Sequence, residues 1–374
     1  MADSRPPMPA APIAVLGAGS WGTALACSLA APRADGSAGH PVRLWTLDPE
    51  HAAELAATRR NAPFLPMAAL PAAVAPTADL AEATAGAWLW VVAVPSQAVR
   101  SLAARLAGIV PAAPPVVVSV AKGIETGTLL TTSAVLREAL PALDAARVGV
   151  LYGPSHAEEV AVGQPTSLVV AMPDAAAAAR VQAAFMAPAL RVYANPDVVG
   201  VEVGGSVKNV IALAAGMGDG LGLGDNAKAA LVTRGLAEIT RLGVALGADA
   251  HTFAGLTGLG DLVVTCFSRH SRNRGFGEKI GSGMSADAAL ASSAMVVEGV
   301  ATTASVRALA ARHGVEMPIA DAVAAILAGN LTPAAAVAAL MARDPRLEGV
   351  RPDGARLDGV RLDGLGETAG GTEA

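Results

Sequence analysis

Cysteine is almost missing from this chain. Cys27 and Cys266 are the two in 374 residues, and their spacing fits neither a disulfide framework nor a zinc site, so a reducing setting and no metal centre are expected. Clusters of lysine or arginine flanked by aromatics are also lacking, and the net charge is −5 with a pI near 5.7. Nucleic acid is therefore not an expected partner, and any small anion must be met by local cations. Although 53% of the residues are hydrophobic, no run of eighteen uninterrupted apolar residues exists, and much of the apolar count is alanine. That composition suits packed helices, so no integral membrane segment is expected. The opening "MADSRPPMPAAP" lacks a basic region followed by a long apolar one, which leaves no signal peptide and points to a cytoplasmic protein.

The length allows two domains. In the first half, short apolar runs alternate with helical pieces: "IAVLGAG" from Ile13, "VRLW" at Val42–Trp45, "WLWVVAV" at Trp88–Val94, "VVVSVA" at Val116–Ala121 and "VGVLYG" at Val148–Gly153. Continuous apolar strands separated by helices imply a mostly parallel sheet buried on both faces. From about Asn195 strand-like runs vanish and helical segments follow one another, at Gly204–Ala215, Ala227–Leu246, Ala286–Ala291, Ala301–His313 and Ala320–Ala328. The fold class is α/β, an N-terminal Rossmann-type parallel-sheet domain (11–194) followed by an all-α domain (195–346). "VRPDGARLDGVRLDG", Val350–Gly364, repeats x-R-x-D-G, too short a unit for a solenoid, with glycine at every fifth position. Residues 347–374 read as a disordered tail.

"GAGSWG", Gly17–Gly22, is G-x-G-x-x-G after a strand and before a helix. Gly17 permits the tight turn, Gly19 lets the backbone approach a pyrophosphate, and Gly22 lets the helix lie close to the sheet. An acidic residue about 20 positions further on serves the ribose in such domains. Asp48 lies 26 positions after Gly22, with "APRADGSA" (Ala31–Ala38) lengthening the intervening loop. "AVPSQAV" ends the third strand and "VAKGIE" places Lys122 at the end of the fourth, on the edge that faces the ligand crevice. Each also reads as an ordinary loop. In "GPSHAEEVA", Gly153-Pro-Ser can cradle a small polar substrate, or Ser155 can cap a helix starting at His156.

One cation stands out. "VEVGGSVKNVIAL", Val201–Leu213, sets Lys208 in an apolar and glycine run, where a buried ammonium costs free energy unless it is paired or its pKa falls. It is either a solvated surface residue or a reagent. "GLTGLGDLVVTC" likewise puts Asp261 amid glycines and aliphatics, and "HSRNRGFG" clusters Arg272, Asn273 and Arg274, a pattern that suits phosphate or a solvated loop.

With these stretches assembled, and with "RRNAPFLP", "VVEGV" and the long "DVVGVEVGGSVKNVIALAAGMGDGLGLGDNAKAALVTRGLAEI" beside them, the chain resembles the bacterial-type NAD(P)-dependent glycerol-3-phosphate dehydrogenase family from about Ile13 to Arg343. The resemblance implies reversible hydride transfer between NAD(P)H and dihydroxyacetone phosphate, giving sn-glycerol 3-phosphate for phospholipid synthesis, by a homodimer. It implies Lys208 as general acid/base with Lys122 and Asp261 beside it. Gly153, Ser155, Asn209, Ser271, Arg272 and Asn273 would join these three on the phosphorylated substrate. Ser20, Trp21, Lys122, Ala157, Arg272, Val296 and Glu298 would touch the NAD or NADP. The chain departs from the family pattern at His156 (usually phenylalanine), Phe64 and Met67 (usually tyrosine and glycine) and Leu47 (often arginine or histidine). The competing readings are a β-hydroxyacid or ketopantoate type reductase, which needs no phosphate clamp, and a dinucleotide sensor without chemistry, which has no use for Lys122, Lys208 and Asp261 together.

Overall fold

A computed structural model describes residues 11–33, 36–293 and 296–343; the expected tail lies outside the described residues. In chain order the strands are β1 (Ile13–Leu16), β2 (Val42–Trp45), β3 (Arg60–Asn61), β4 (Leu65–Ala69), β5 (Val74–Thr77), β6 (Leu89–Val92), β7 (Val116–Ser119), β8 (Val148–Tyr152), β9 (Thr166–Ala171) and β10 (Leu190–Asn195). The helices of the first half are α1 (Ser20–Ala30), α2 (Pro49–Thr58), α3 (Leu80–Thr84), α4 (Val99–Ala107), α5 (Thr132–Ala139), α6 (Ala157–Ala161) and α7 (Ala175–Phe185). After β10 come α8 (Val198–Gly220), α9 (Asp225–Ala245), α10 (Asp261–Phe267), α11 (Arg272–Gly281), α12 (Ala286–Ala291), α13 (Glu298–Arg312), α14 (Pro318–Leu327) and α15 (Pro333–Met341).

Eight strands form one sheet in the order β10-β9-β8-β7-β6-β1-β2-β5, parallel except where β8 meets β9. All residues of β1, β6, β7 and β8 are buried, because helices cover both faces. Each fully buried valine or leucine there stabilises the fold by roughly 1.5–3 kcal/mol relative to exposure. Since β1, β6, β7 and β8 run parallel, the loops after them open on one edge, carrying Gly17–Gly19, Ala93–Ser96, Val120–Gly123 and Gly153–Ser155 to the same place. The five strands read from the sequence are all present; β5, β9, β10 and the small β3–β4 hairpin add to them.

The helical half is built around α8, longer at both ends than its apolar pattern suggested. Several of its glycines sit where another segment of the chain passes close. A Cβ at Gly205 would lie 2.6 Å from the Tyr152 ring, and one at Gly216 would collide with the carbonyl of Arg274 in α11. By length and composition α8 resembles a membrane span, but 89% of that window is buried inside the fold, as in a core helix. From α8 the carboxylate of Glu202 reaches into the sheet domain and caps α5, accepting the Ser133 N–H at 2.8 Å and the Ser133 hydroxyl at 2.6 Å. That capped contact ties the helical half to the sheet edge.

Candidate active site

The Gly-rich turn has the geometry its spacing implied. Gly17 has φ 129°, and a Cβ there would sit 2.6 Å from the Ala93 carbonyl oxygen. A Cβ on Gly19 would meet nothing within 4 Å. The turn is therefore packed behind and open in front, and α1 starts at it with no side chain capping its first N–H groups. An anion such as a pyrophosphate fits that open helix start.

In front of the turn lies a cleft of about 330 Å³ between sheet edge and helices. Gly19, Ser20, Trp21 and Ala157 line it from the sheet side; Lys208, Asn209, Asp261, Ser271, Arg272, Asn273, Val296 and Glu298 line it from the helical side, with Lys122 and Ser155 between. Gly17 and Gly22 stand behind the wall. Gly153 enters through its carbonyl, which accepts from Lys122 Nζ at 2.9 Å and from Ser155 Oγ at 3.1 Å. Ser155 is no helix cap, since α6 begins at Ala157 with His156 at the cap position. Asp48 is not brought to this cleft. It is exposed and caps α2, accepting the Glu50 N–H at 2.9 Å, because Pro49 starts that helix one residue later.

Asp261 is the centre of the charge arrangement. It is 1% exposed, and each of its oxygens takes one lysine: Oδ2 accepts from Lys122 Nζ at 2.7 Å, and Oδ1 accepts from Lys208 Nζ. It gets there because Leu256–Gly260, small and glycine-rich, makes a π-helical turn, with the Gly260 N–H reaching Gly255 O at 3.1 Å, and leads directly into α10. Thr265, one turn along α10, donates to the Asp261 carbonyl at 2.6 Å and accepts from Lys208 Nζ at 2.7 Å. The role of Thr265 was not read from the sequence, although its i,i+4 spacing from Asp261 was a usable signal.

Lys208 is thus buried, 5% exposed, rather than a solvated surface cation. Burial drives its pKa down, Asp261 pulls it back up and Lys122 pushes it down again, leaving it at about 7. Its tetrahedral nitrogen spends two vertices, on Asp261 and Thr265. The remaining one is a lone pair when the amine is neutral and an N–H when it is charged, so one position acts as base or acid. Tyr152, fully buried, holds the chain just before Lys122 by donating to the Ala121 carbonyl.

The "SRNR" cluster is a helix start. Ser271 caps α11 by accepting the Arg274 N–H at 3.2 Å, and the Asn273 carbonyl oxygen accepts the Gly299 N–H at 2.9 Å. Arg272 is exposed, with one N–H on the Val296 carbonyl at 3.0 Å. Arg274 does not join the site; it pairs with Asp219 and Glu278. The arrangement offers a guanidinium fork, the Asn273 amide N–H₂ and a positive helix end to a phosphate. Glu298 is latched across the cleft, accepting the Ser96 N–H at 3.0 Å and its hydroxyl at 2.5 Å. His156 also lines the cleft, its ring 5.8 Å from that of His270 and its Nε2 buried without a partner. Burial and the charges of Lys208 and Lys122 hold its imidazole below the ordinary range.

Comparison with known proteins places this geometry in context. The model described as NAD-dependent glycerol-3-phosphate dehydrogenase N-terminus matches residues 12–178, and its C-terminus counterpart matches 197–338. A glycerol-3-phosphate dehydrogenase (NAD(P)+) of Salinibacter ruber is 54% identical over 338 residues, 90% of this chain and 96% of its own length. One from Moorella thermoacetica is 53% identical over 90% of this chain and 97% of its own length. The crystal structure of glycerol-3-phosphate dehydrogenase from Coxiella burnetii superposes with a TM-score of 0.83 at 38% identity, covering 90% of this chain and all of that one.

Proposed function

This chain belongs to the NAD-dependent glycerol-3-phosphate dehydrogenase family, and from that premise we propose how its own residues divide the work. The reaction is reversible hydride transfer between NAD(P)H and dihydroxyacetone phosphate, giving sn-glycerol 3-phosphate. When bound, the nicotinamide supplies or accepts the hydride. Lys208 handles the proton: as an ammonium it donates to the carbonyl oxygen during reduction, and as a neutral amine it takes the hydroxyl proton during oxidation. The observation that carries this reading is the single buried carboxylate of Asp261 shared by two lysines. It holds both amines in place, while burial, with Lys122 beside it, lowers the Lys208 pKa to about 7.

Lys122, with one N–H left after Asp261 and Gly153, positions the substrate oxygen. Ser155, Asn209 and the Ser271–Asn273 helix start hold the remainder of the substrate, with Arg272 on the phosphate. Ser20, Trp21, Ala157, Val296 and Glu298 seat the dinucleotide. Residues 11–194 form the dinucleotide-binding unit and 195–346 the catalytic unit, a division supported by the residues the two family models match. The free thiols and acidic charge support a cytoplasmic enzyme. We infer a homodimer feeding phospholipid synthesis, as the family resemblance implies.

NADH is the expected better cofactor. At the end of β2, Leu47 is 69% exposed where the family resemblance implies a cation, and Arg43 is turned away onto the backbone carbonyls of Glu82 and Ala85. A 2′-phosphate therefore finds no cation supplied by β2. The test is NADH or NADPH oxidation with dihydroxyacetone phosphate. Turnover supports the assignment and binding without turnover overturns it, while Leu47→Arg should raise kcat/KM for NADPH alone.

A further inference from the structure

The dinucleotide turn is held from behind by hydrogen bonds that run out to the ribose end of β2. Asn61, in β3, is fully buried and donates through Nδ2 to the Ala18 carbonyl at 2.8 Å and to Thr23 Oγ1 at 2.7 Å. Ala18 lies inside the turn and Thr23 in the first turn of α1. A carbonyl cannot donate, so the orientation of this amide is settled and its Oδ1 must accept. The donor it faces is His51 Nε2, 3.1 Å away on α2. The other ring nitrogen of His51, Nδ1, lies 3.3 Å from Thr46 Oγ1 at the end of β2, and that hydroxyl accepts the Asp48 N–H at 3.5 Å. The His51 ring also packs on Phe64, with centroids 5.5 Å apart, and Phe64 lines the cleft.

We propose that His51 and Asn61 are positioning residues for the dinucleotide. They couple the pyrophosphate turn Gly17–Gly22 to the end of β2, where the adenosine ribose is read in this architecture. Both ends of this hydrogen-bond chain lie where this architecture binds a dinucleotide, and Asn61 grips the carbonyl beside Gly19, whose front is open. If Asn61 loses its donor, that turn is free to rotate and α1 no longer presents its N–H groups in register. Substrate lies on the far side of the cleft, so its binding should not feel the change. The proposal rests on the dehydrogenase reading only for the identity of the ligand as NAD(P)H.

The test compares three variants of the full-length enzyme by NADH titration and steady-state kinetics. His51→Phe keeps an aromatic ring against Phe64 but takes the donor from Asn61 Oδ1 and leaves Thr46 Oγ1 with the Asp48 N–H alone. Its Kd and KM for NADH should rise about tenfold, the cost of unpaired buried polar groups. Asn61→Asp, which turns an acceptor toward the Ala18 carbonyl, should cost more. At saturating NADH, kcat and the KM for dihydroxyacetone phosphate should stay within about twofold of the parent, as expected of an effect confined to cofactor binding. His51→Gln restores a donor and an acceptor and should recover most of the NADH affinity. A purely structural role would lower thermal stability without this split, and that result overturns the proposal. So does a His51→Phe enzyme that binds NADH like the parent, or a glutamine variant as weak as the phenylalanine one. A parent enzyme that failed to bind NADH would overturn the dehydrogenase reading itself.

Discussion

Replacing Asp261 with asparagine should move the ionisation that controls catalysis, and the direction is set by the structure. Lys208 has a pKa of about 7 because burial and Lys122 lower it while Asp261 raises it. Asparagine removes the raising influence and leaves the other two. An opposite charge at hydrogen-bonding range is worth about 1–3 pKa units, so the amine of the variant should titrate that far below 7. At pH 7 the ammonium fraction then falls from roughly half to between a tenth and a thousandth. An asparagine can also accept from only one of the two lysines, while its N–H₂ faces the other.

The assay is kcat/KM against pH in both directions, with deuterated NADH to establish that hydride transfer limits the rate. In the parent, reduction needs the ammonium and should fall tenfold per pH unit above about 7. Oxidation needs the neutral amine and should fall below the same point. In Asp261→Asn both breakpoints should shift to lower pH, and reduction at pH 7 should drop by about fivefold or more. A breakpoint that stays put or moves upward would refute the account of how Lys208 is tuned. So would a parent enzyme with no ionisation near 7.

Lys208→Ala should lower turnover about 10²- to 10⁴-fold while NADH binding, measured by titration, stays nearly intact; near-parent kcat would remove the lysine from the mechanism. Arg272→Lys should raise the KM for dihydroxyacetone phosphate by losing the fork, and Arg272→Ala should raise it further, with smaller changes in NADH affinity. Glu238 is buried and accepts the Ile319 N–H at 2.7 Å at the start of α14, and burial lifts its pKa to about 7, above the ordinary 4.5. Its folded state holds the proton more tightly than the unfolded one, so its contribution to stability is full below about pH 4.5 and is lost as pH rises through 7. The difference in unfolding free energy between parent and Glu238→Gln, measured in urea at pH 5 and 8, should change by a few kcal/mol; a pH-independent difference would contradict it.

The apolar runs at Ile13, Val42, Trp88, Val116 and Val148 announced the sheet, because strands buried on both faces must be hydrophobic at every position. "GAGSWG" between strand and helix marked a turn that is open in front, and the apolar neighbours of Lys208 marked a buried cation. These are local signals. The missed strands carry weaker ones: β5 contains Pro76, which an edge strand tolerates, and edge strand β10 buries only Leu190 and Val192 of its six residues. What only the tertiary structure decided is which charges meet. Asp261 reaches lysines 53 and 139 residues away, Glu298 reaches Ser96 across 202 residues, and Asn61 grips Ala18 across 43. No periodicity records such pairs, because a hydrogen bond between distant segments leaves no imprint on the spacing within either one. The packing of the folded chain, rather than any motif, buries Lys208, and burial is the largest cause of its lowered pKa.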